Sequence, residues 1–325
     1  MEKIKIGVIG FGNVGKAILR VASSNPDMEI VGIFTKREPD KLSISNVPVF
    51  HVENVKDFSN KIDVMVLCTG SATDLPVQGP EIAKMFNTID SFDTHKTIPE
   101  YFASMDASSK YGNKVSVISA GWDPGLFSIN RLYGEAFLSN SKTYTFWGPG
   151  VSQGHSQAVR SINGVKDAIQ YTVPVEEALE VIRSGDTPDF TTREKHIRVC
   201  YVVAKEDANK KLIEQEIKNM PNYFSDYDTT VNFISEEEFN KEHIKMPHGG
   251  FVITSGNTTK ENKITMEFSF KAESNPEITA SIMLSYARAA YRLYKKGELG
   301  AKTVFDIAPN LLSPKNPNEL IKDIM

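Results

Sequence analysis

Short β-rich runs, of which 63–68 is nearly continuous in apolar residues, alternate with helical segments over the first 120 residues of the chain. Apolar runs of this kind are typical of parallel strands that are buried on both faces. Strands that alternate with helices predict crossover units and a doubly wound, parallel α/β sheet. The predicted strands cover residues 3–9, 29–34, 63–68, 87–90 and 115–119, and the predicted helices cover 16–22, 80–86 and 98–110.

The pattern changes after residue 120, where longer polar stretches separate the elements. Strands are predicted there at 143–147, 168–173, 197–203, 229–234, 251–254 and 263–271, and helices up to 138, at 209–220 and at 275–296. Asn275 is a suitable N-cap for the last helix, with Pro276 at its first position. We therefore expect a first domain at 1–120 and an α+β domain with an open mixed sheet at 121–299. The tail at 300–325 is expected to pack on the first domain.

The composition is that of a globular protein and argues against several classes. Because domains average about 150 residues, 325 residues predict two of them. The 37 cationic and 41 anionic residues give a net charge of −4, which disfavours a nucleic-acid-binding surface. No apolar run is long enough to span a membrane, and charges interrupt the first one, so a secretory signal is not expected. These features predict a soluble, cytoplasmic protein that acts on a small molecule.

A glycine motif follows the first predicted strand and opens the first predicted helix. In this setting Gly10 permits a tight turn, Gly12 lets the backbone approach a pyrophosphate, and Gly15 allows the helix to pack on the strand. The helix N-terminus then supplies N–H groups and partial positive charge. The motif predicts a Rossmann-type dinucleotide site, and the alternative is a turn without a ligand. The expected cofactor-binding residues of this loop are Gly10, Phe11, Gly12, Asn13 and Val14.

Cofactor choice is predicted from the end of the second strand. NAD sites usually place an acidic residue there to bind the ribose 2′-hydroxyl, whereas this chain has Thr35, Lys36 and Arg37. Two cations and a hydroxyl suit a 2′-phosphate, so the sequence favours NADP over NAD. A solvated basic loop is the alternative.

Polar clusters follow three further predicted strands, where a doubly wound fold binds its ligands. Thr73 and Asp74 could instead cap the next helix, and Asp123 could be an N-cap before Pro124. His95 and Lys96 could be solvated loop residues. The residues of these clusters expected to line the cofactor crevice are Cys68, Thr69, Gly70, Ser71, Thr73, Phe92, Asp93, Thr94, His95, Ala120, Gly121, Trp122, Asp123 and Pro124.

Neither metal binding nor serine hydrolase chemistry is predicted. The six histidines form no H-E-x-x-H motif and no Cys/His pair at zinc spacing. Cys68 and Cys200 lie at apolar strands, where a small buried side chain is the simplest interpretation. No G-x-S-x-G motif is present.

Several sequence strings, taken in order, resemble the meso-diaminopimelate D-dehydrogenase family. They are CTGSATD, FDTH, SAGWDPGLFSINR, FWGPGVSQGHS, MPHGG and SNPEITAS. The resemblance implies reversible, NADP-dependent oxidative deamination of meso-2,6-diaminopimelate at its D-centre, giving L-2-amino-6-oxopimelate, ammonia and NADPH. It also implies a homodimer in lysine and cell-wall precursor synthesis, whose domain at 121–299 binds substrate and forms the dimer.

The resemblance also assigns substrate-binding positions and roles. Asp123, helped by Asp93, is expected to receive the ammonium proton and to orient the attacking water. Arg198 is expected to clamp a remote carboxylate, although without the resemblance it would be taken for an exposed strand residue. Gln157 departs from the family, in which an acidic residue is common after SQGHS. The implied substrate-binding residues are Asp93, Asp123, Trp147, Gln153, Gly154, Thr172, Arg198, His248 and Asn275.

Three other functions remain open at this point. The first is a broader D-amino acid dehydrogenase. The second is a related NADP-dependent reductase that uses His95 or Lys96 as its acid. The third is an NADPH sensor without turnover. The reductase would not need the aspartate pair together with a remote Arg198.

Overall fold

The computed structural model describes residues 3–42, 46–138 and 140–325. The chain divides into two compact units, one formed by Met1–Ile129 with Pro276–Met325 and the other by Asn130–Asn275. These limits differ from the expected domains at 1–120 and 121–299. The long helix near the C-terminus belongs to the first unit because most of its apolar side chains lie in the core of that unit.

The first unit contains a seven-stranded parallel sheet, with elements numbered along the whole chain. Its order is β14-β6-β5-β4-β1-β2-β3, so the order reverses at β1, where doubly wound sheets bind ligands. The strands are β1 (Ile4–Ile9), β2 (Met28–Thr35), β3 (Val49–His51), β4 (Val64–Leu67), β5 (Asn87–Asp90), β6 (Val115–Val117) and β14 (Gly300–Lys302). The helices are α1 (Asn13–Ala22), α2 (Leu75–Ala83), α3 (Ile98–Tyr111), α10 (Asn275–Lys295) and α11 (Pro317–Ile324), and α4 (Leu126–Phe137) crosses the boundary between the units.

Two apolar clusters cover the faces of this sheet. On one face, Ile6 and Val8 of β1 pack in a cluster that also holds Ala287 of α10. On the other, Met65 of β4 packs in a cluster with Met105 of α3. Strands buried on both faces explain the nearly continuous apolar runs from which they were predicted.

An ion pair anchors α10 within the first unit. The Nε atom of the buried Arg288 lies 2.6 Å from a carboxylate oxygen of Asp27, and Nη2 lies 2.8 Å from the other. This paired contact lowers the pKa of Asp27. The C-terminal segment beyond α10 adds β14, which pairs in parallel with β6.

The second unit contains two sheets. One is mixed, with the order β11-β10-β9-β8, and the other is antiparallel, with the order β13-β12-β7. The strands are β7 (Asn140–Trp147), β8 (Gly150–Val151), β9 (Val165–Pro174), β10 (His196–Ala204), β11 (Asp228–Phe233), β12 (His248–Asn257) and β13 (Lys263–Ala272). The helices are α5 (Gln153–Arg160), α6 (Glu176–Arg183), α7 (Thr192–Lys195), α8 (Lys210–Lys218) and α9 (Glu236–Glu242).

The chain passes from one sheet to the other at residues 148–149. Gly148 has a φ of +103°, and a Cβ there would lie 2.0 Å from the carbonyl oxygen of Thr172, so only glycine fits this turn. The predicted fold class, a doubly wound parallel sheet with an additional α+β domain, is confirmed. The division of the additional strands between two sheets was not predicted, because it depends on this turn.

No helix in the described parts of the chain is long and apolar enough to cross a membrane.

Candidate active site

The glycine-rich turn joins β1 to α1 and brings their backbones close to the end of β4. Gly10 has a φ of +93°, and a Cβ there would lie 2.6 Å from the carbonyl oxygen of Cys68. A Cβ on Gly15 would lie 2.2 Å from the carbonyl oxygen of Gly10. Both glycines are therefore required by close backbone contacts. A Cβ on Gly12 would meet no atom within 4 Å, so the backbone there borders open space.

This turn fits the pyrophosphate of a dinucleotide. Gly12 is the N-cap of α1, and Asn13 begins the helix. The N-terminus of a helix presents N–H groups and partial positive charge to an anion. Phe11 and Val14 pack against the apolar cluster on the α1 face of the sheet, which fixes the loop between the glycines.

The predicted 2′-phosphate residues follow β2 and lie beside the glycine turn. Thr35 is buried, and its hydroxyl accepts a hydrogen bond from the backbone N–H of Arg37 at 3.1 Å. The guanidinium of Arg37 donates to the carbonyl oxygen of Phe11 at 2.5 Å. The ammonium of Lys36 lies 2.6 Å from a carboxylate oxygen of Asp74 and lowers the pKa of that carboxyl. Two exposed cations therefore stand next to the expected phosphate loop, and the structure fits NADP.

The loop after β4 is tied to the loop after β5. The hydroxyl of Ser71 accepts from the backbone N–H of Asp93 at 2.9 Å. Thr69 donates through its hydroxyl to Gln78 at 3.0 Å, and the N–H of Gly70 donates to Asp74 at 3.2 Å. The structure thus brings the predicted residues of these two loops together. Asp93 itself is exposed.

The side chains of the loop after β5 point in different directions. Phe92 is buried and stacks on Tyr101 of α3, with 4.2 Å between ring centroids. Thr94 is half-buried, whereas His95 and Lys96 are exposed in a short 3-10 helix at His95–Thr97. Phe92 therefore anchors the loop in the core, and a contact between its ring and the cofactor stays a prediction.

The loop after β6 closes on itself as a compact turn. The N–H of Gly121 donates to the carbonyl oxygen of Pro124 at 3.0 Å. Gly125 has a φ of +126°, and a Cβ there would lie 1.9 Å from the carbonyl oxygen of Gly121. The ring of Trp122 contacts that of Phe127 edge to face. This turn holds the half-buried Asp123 at a fixed position between β6 and α4.

Arg198 is the main cationic residue of the second unit's candidate site. It lies on β10 directly opposite Thr172 of β9, and its guanidinium donates to the Thr172 hydroxyl. The guanidinium centre lies 3.9 Å from the ring centroid of Tyr227. Arg198 is 7% exposed, so the alternative of an exposed strand residue is wrong.

The guanidinium of Arg198 retains an unused donor. Its Nε atom is buried and has no hydrogen-bond partner within the described ranges. Burial lowers the pKa of Arg198, yet an arginine keeps its charge in a protein. A buried cation with a spare donor suits a carboxylate ligand, which forms paired hydrogen bonds with a guanidinium.

Two histidines next to this arginine are neutral. Trp147 stacks on His196 with 5.4 Å between ring centroids, and its backbone N–H donates to the Nε2 atom of that histidine at 2.9 Å. Burial, with the charges of Lys195 and Arg198, lowers the pKa of His196 to about 3. Burial and Arg198 also lower the pKa of His155 to about 4. Neither histidine therefore adds positive charge beside Arg198.

His248 lies beside the Arg198–Thr172 pair. It begins β12, and a Cβ on Gly150 would come within 2.5 Å of its ring. Gly150 in turn pairs with Thr172 across β8 and β9. The Nδ1 atom of His248 accepts from the N–H of Gly249 at 2.9 Å, which holds the ring at the start of the strand.

The other predicted substrate residues lie at helix starts. Gln153 and Gly154 begin α5 and are exposed, and a Cβ on Gly154 would meet no atom within 4 Å. Asn275 begins α10, and its N–H donates to the carbonyl oxygen of Met246 at 2.8 Å. Their roles toward a substrate stay predictions.

Sequence reasoning missed three residues that organise these sites. Asp90 is a buried carboxylate at the end of β5, His196 is the partner of Trp147, and Tyr227 is the ring under Arg198. A carboxylate at the last position of a strand predicted for the parallel sheet was a usable signal for Asp90. Nothing in the local pattern could have indicated the other two, because their partners are distant in sequence.

Across the ranges 3–42, 46–138 and 140–325, no group of three or more His, Cys, Asp or Glu side chains is placed to hold a metal ion.

Two protein-family models match the chain. The model of the diaminopimelic acid dehydrogenase C-terminal domain matches residues 121–274. The CoA binding domain model matches residues 1–76, which include the glycine turn.

Proteins that are similar to this chain over its full length are also dehydrogenases of diaminopimelate or of D-amino acids. The meso-diaminopimelate D-dehydrogenase of Acetivibrio thermocellus is 57% identical over 100% of this chain and 98% of its own length. A structure of a meso-DAPDH mutant of Clostridium tetani with DAP has a TM-score of 0.94 at 52% identity, over 99% of this chain and 100% of that one. An engineered D-amino acid dehydrogenase bound to NADP+ has a TM-score of 0.86 at 42% identity, over 99% and 100%. The chain therefore belongs to the meso-diaminopimelate D-dehydrogenase family.

Proposed function

We propose that this chain catalyses the reversible, NADP-dependent oxidative deamination of meso-2,6-diaminopimelate at its D-centre. The products are L-2-amino-6-oxopimelate, which cyclises to tetrahydrodipicolinate, together with ammonia and NADPH. The observation that carries the proposal is the buried Arg198 with its spare Nε donor, in a chain of this family. A substrate with two carboxylates provides a ligand for such a cation at its non-reacting end.

NADP is the cofactor, in agreement with the prediction from the residues after β2. The N-terminus of α1 with Gly12 would hold the pyrophosphate, and Lys36 and Arg37 would hold the 2′-phosphate. When bound, NADP accepts the hydride from the substrate. The protein must then bind the amino acid, orient its D-centre and handle its protons.

The first unit supplies the carboxylates for the reacting amine. The substrate ammonium must lose a proton before its nitrogen can support formation of a carbon–nitrogen double bond. We assign that proton to Asp123, with Asp93 as a second acceptor for the remaining N–H groups. After oxidation, the same carboxylates orient the water that attacks the imine carbon.

The second unit supplies the clamp for the distal L-centre. Arg198 and Thr172 form one hydrogen-bonded pair, and His248 lies beside it. Arg198 would bind the distal carboxylate through two N–H groups, with Thr172, His248 and Asn275 completing the clamp. Trp147, Gln153 and Gly154 would shape the remaining pocket wall.

We further propose that the enzyme is a cytoplasmic homodimer that forms a precursor of lysine and of the cell wall. The dimer is expected to use the second unit. Sedimentation equilibrium of the purified protein tests the dimer, because a monomer at micromolar concentration would contradict it.

The activity is tested by incubating the protein with NADP and meso-2,6-diaminopimelate while NADPH absorbance and ammonia are followed. Equal amounts of NADPH and ammonia are expected with the meso isomer, and no turnover with the L,L isomer. Turnover of simple D-amino acids at similar kcat/KM would instead indicate a broader D-amino acid dehydrogenase. NADPH binding without turnover of any of these substrates would instead favour the sensor or a reductase of another small substrate.

The role of Asp123 is tested separately with Asp123→Asn. Loss of the proton acceptor is expected to lower kcat about 100-fold or more, because general base catalysis is worth about 10²–10⁴. Binding of NADPH should be retained. A variant with wild-type kcat and an unchanged pH profile would refute the role.

A further inference from the structure

Asp90 connects the two loops that carry the proposed catalytic carboxylates. It ends β5, and its side chain is fully buried. Its Oδ1 atom accepts from the backbone N–H of Phe92 at 3.0 Å and from that of Ser119 at 2.9 Å. Phe92 directly precedes Asp93, and Ser119 lies in the segment that leads to Asp123. One carboxylate oxygen thus binds both loops.

These bonds continue the connection between the strands beyond the regular ladder. The β5–β6 ladder pairs Thr88 with Ser116 and Ile89 with Val117. Past it, the carbonyl oxygen of Asp90 accepts from the N–H of Ala120 at 2.9 Å. Main chain and side chain of one residue therefore hold the loop after β6 against the end of β5.

The backbone at Ser119 shows why such a connection is needed. Ser119 has a φ of +54°, a left-handed conformation that costs a non-glycine residue about 1–2 kcal/mol. Its hydroxyl is buried and has no hydrogen-bond partner in the described segments. Strain of this kind persists only where the surroundings hold it in place. The bond from its N–H to Asp90 is such a restraint, and it directs the chain from β6 into the Gly121–Gly125 turn.

The far side of the Asp90 carboxylate is held by α3. The hydroxyl of Tyr101 donates to Oδ2 at 2.8 Å, while the Tyr101 ring stacks on Phe92. The same hydroxyl lies against Gly79 of α2, where a Cβ would come within 2.5 Å of it. Residues of two helices thus pack around the carboxylate that accepts hydrogen bonds from both loops.

A residue that only held the two loops together would not need to be an ionised carboxylate, as Asp90 is. Burial raises the pKa of Asp90 to about 6, so its ionised form is costly. All three groups that bind the Asp90 carboxylate are hydrogen-bond donors. A charged acceptor forms hydrogen bonds about twice as strong as a neutral one. Stronger hydrogen bonds to the two loops therefore offset the cost of burying the Asp90 carboxylate.

We propose that Asp90 is a positioning residue that sets the separation of Asp93 and Asp123 for the reacting amine. It acts through the backbone N–H groups of Phe92 and Ser119. The inference rests on the proposed function, because it concerns the geometry of that reaction.

The test compares three substitutions for kcat, for KM with meso-2,6-diaminopimelate and for Kd of NADPH. Asp90→Ser is too short to reach both N–H groups, and kcat should fall about 30-fold or more, since a misplacement of about 1 Å costs up to 10²-fold. Asp90→Asn keeps an oxygen for both loops and should restore most of kcat. Tyr101→Phe removes a bond to the same carboxylate but leaves the loops attached, so kcat should stay within about threefold of wild type.

Binding of NADPH separates this effect from general damage. Kd should change much less than kcat in all three variants, because the glycine turn and the residues after β2, which are expected to bind the phosphates, lie on other strands. If Asp90→Ser does not accumulate as folded protein, Asp90→Glu replaces it, since it keeps the charge but displaces the loops, and kcat should again fall.

The positioning role would be overturned if Asp90→Ser, or Asp90→Glu in its place, had wild-type kcat. It would also be overturned if Tyr101→Phe lowered kcat by as much as that variant. A wild-type enzyme that does not oxidise meso-2,6-diaminopimelate would instead overturn the proposed function, and the positioning role with it.

Discussion

The two units build their binding residues in different ways. In the first unit, the cofactor turn is built from backbone and depends on the lack of side chains at Gly10, Gly12 and Gly15. In the second unit, the candidate clamp consists of long side chains on strand faces, with Arg198 against Thr172 and Tyr227. The cofactor turn depends on glycines that lack a Cβ, whereas the clamp depends on a buried guanidinium.

This difference changes what a substitution does. A side chain added at Gly10 or Gly15 meets backbone, which cannot move without displacing a strand or a helix. A side chain removed from the clamp leaves the sheet intact and takes away only a ligand contact. Stability and binding should therefore be coupled at these two glycines and separable in the clamp.

The largest effect is expected for Gly15→Val. Its Cβ would lie 2.2 Å from the carbonyl oxygen of Gly10, so α1 must move away from β1. The expected loss is about 4 kcal/mol or more of unfolding free energy, or no folded protein at all. Gly12→Ala is the matched control, because a Cβ there meets no atom within 4 Å. It should fold normally but weaken NADPH binding about 10-fold or more, as a methyl group enters the phosphate space.

Thermal unfolding and NADPH titration distinguish the two variants. Unchanged thermal stability of Gly15→Val would disprove the close contact. Unchanged NADPH affinity of Gly12→Ala would show that the pyrophosphate does not approach this backbone.

The next effect concerns Arg198→Met, and here stability and binding should separate. Losing a charged pair of hydrogen bonds to a buried carboxylate costs about 3 kcal/mol, or about 100-fold in kcat/KM. Unfolding free energy should change by less than about 1 kcal/mol, because the lost contact with Tyr227 is offset by removal of a buried cation. Steady-state kinetics and urea unfolding measure both quantities.

Thr172→Val is the matched control for this variant. It removes the hydroxyl partner of Arg198 but keeps the cation, so kcat/KM should fall less, by about 10-fold. Unchanged discrimination between meso-2,6-diaminopimelate and simple D-amino acids in Arg198→Met would disprove the clamp.

The same contrast explains which features could be predicted from the sequence. The strand predicted at 87–90 and the helix predicted at 98–110 match β5 and α3 almost residue for residue, because the alternation of strands and helices along the chain is a local signal. The short edge strands β3 and β14 were missed, since VFH and GAK lie in polar surroundings without the apolar pattern that marks β6. The helix predicted at 80–86 begins earlier, at Leu75, with Pro80 inside it, so the proline did not mark its start.

Side-chain partners were harder to predict than elements. The glycine turn follows from spacing alone, because its reasons are confined to a few neighbouring residues. The burial of Arg198 does not, since it depends on Thr172 and Tyr227, which are far from it in sequence. Only the family resemblance pointed to it.

A smaller, pH-dependent effect is expected in the second unit. Burial lowers the pKa of His196 to about 3 and that of His155 to about 4, whereas an unfolded histidine titrates near pH 6.5. Their stabilising contribution is therefore complete above about pH 6.5 and is lost as the pH falls toward the folded values. His196→Gln should make the decline in stability between about pH 6.5 and about pH 4 shallower.

Urea unfolding at several pH values measures this decline. Equal slopes for wild type and His196→Gln would show that His196 is not held neutral in the folded protein.

The smallest change in stability, with a selective change in binding, is expected for Lys36→Met. Its ion pair with Asp74 is exposed, so unfolding free energy should change by less than about 0.5 kcal/mol. Loss of one cation from the 2′-phosphate site should raise Kd for NADP several-fold at low salt and leave Kd for NAD unchanged. Asp74→Asn is the converse variant, because it frees the Lys36 ammonium and should keep or strengthen NADP binding. If Lys36→Met weakened NADP and NAD equally, the residues after β2 would contribute to general cofactor affinity, and the preference for NADP would have to come from another part of the first unit.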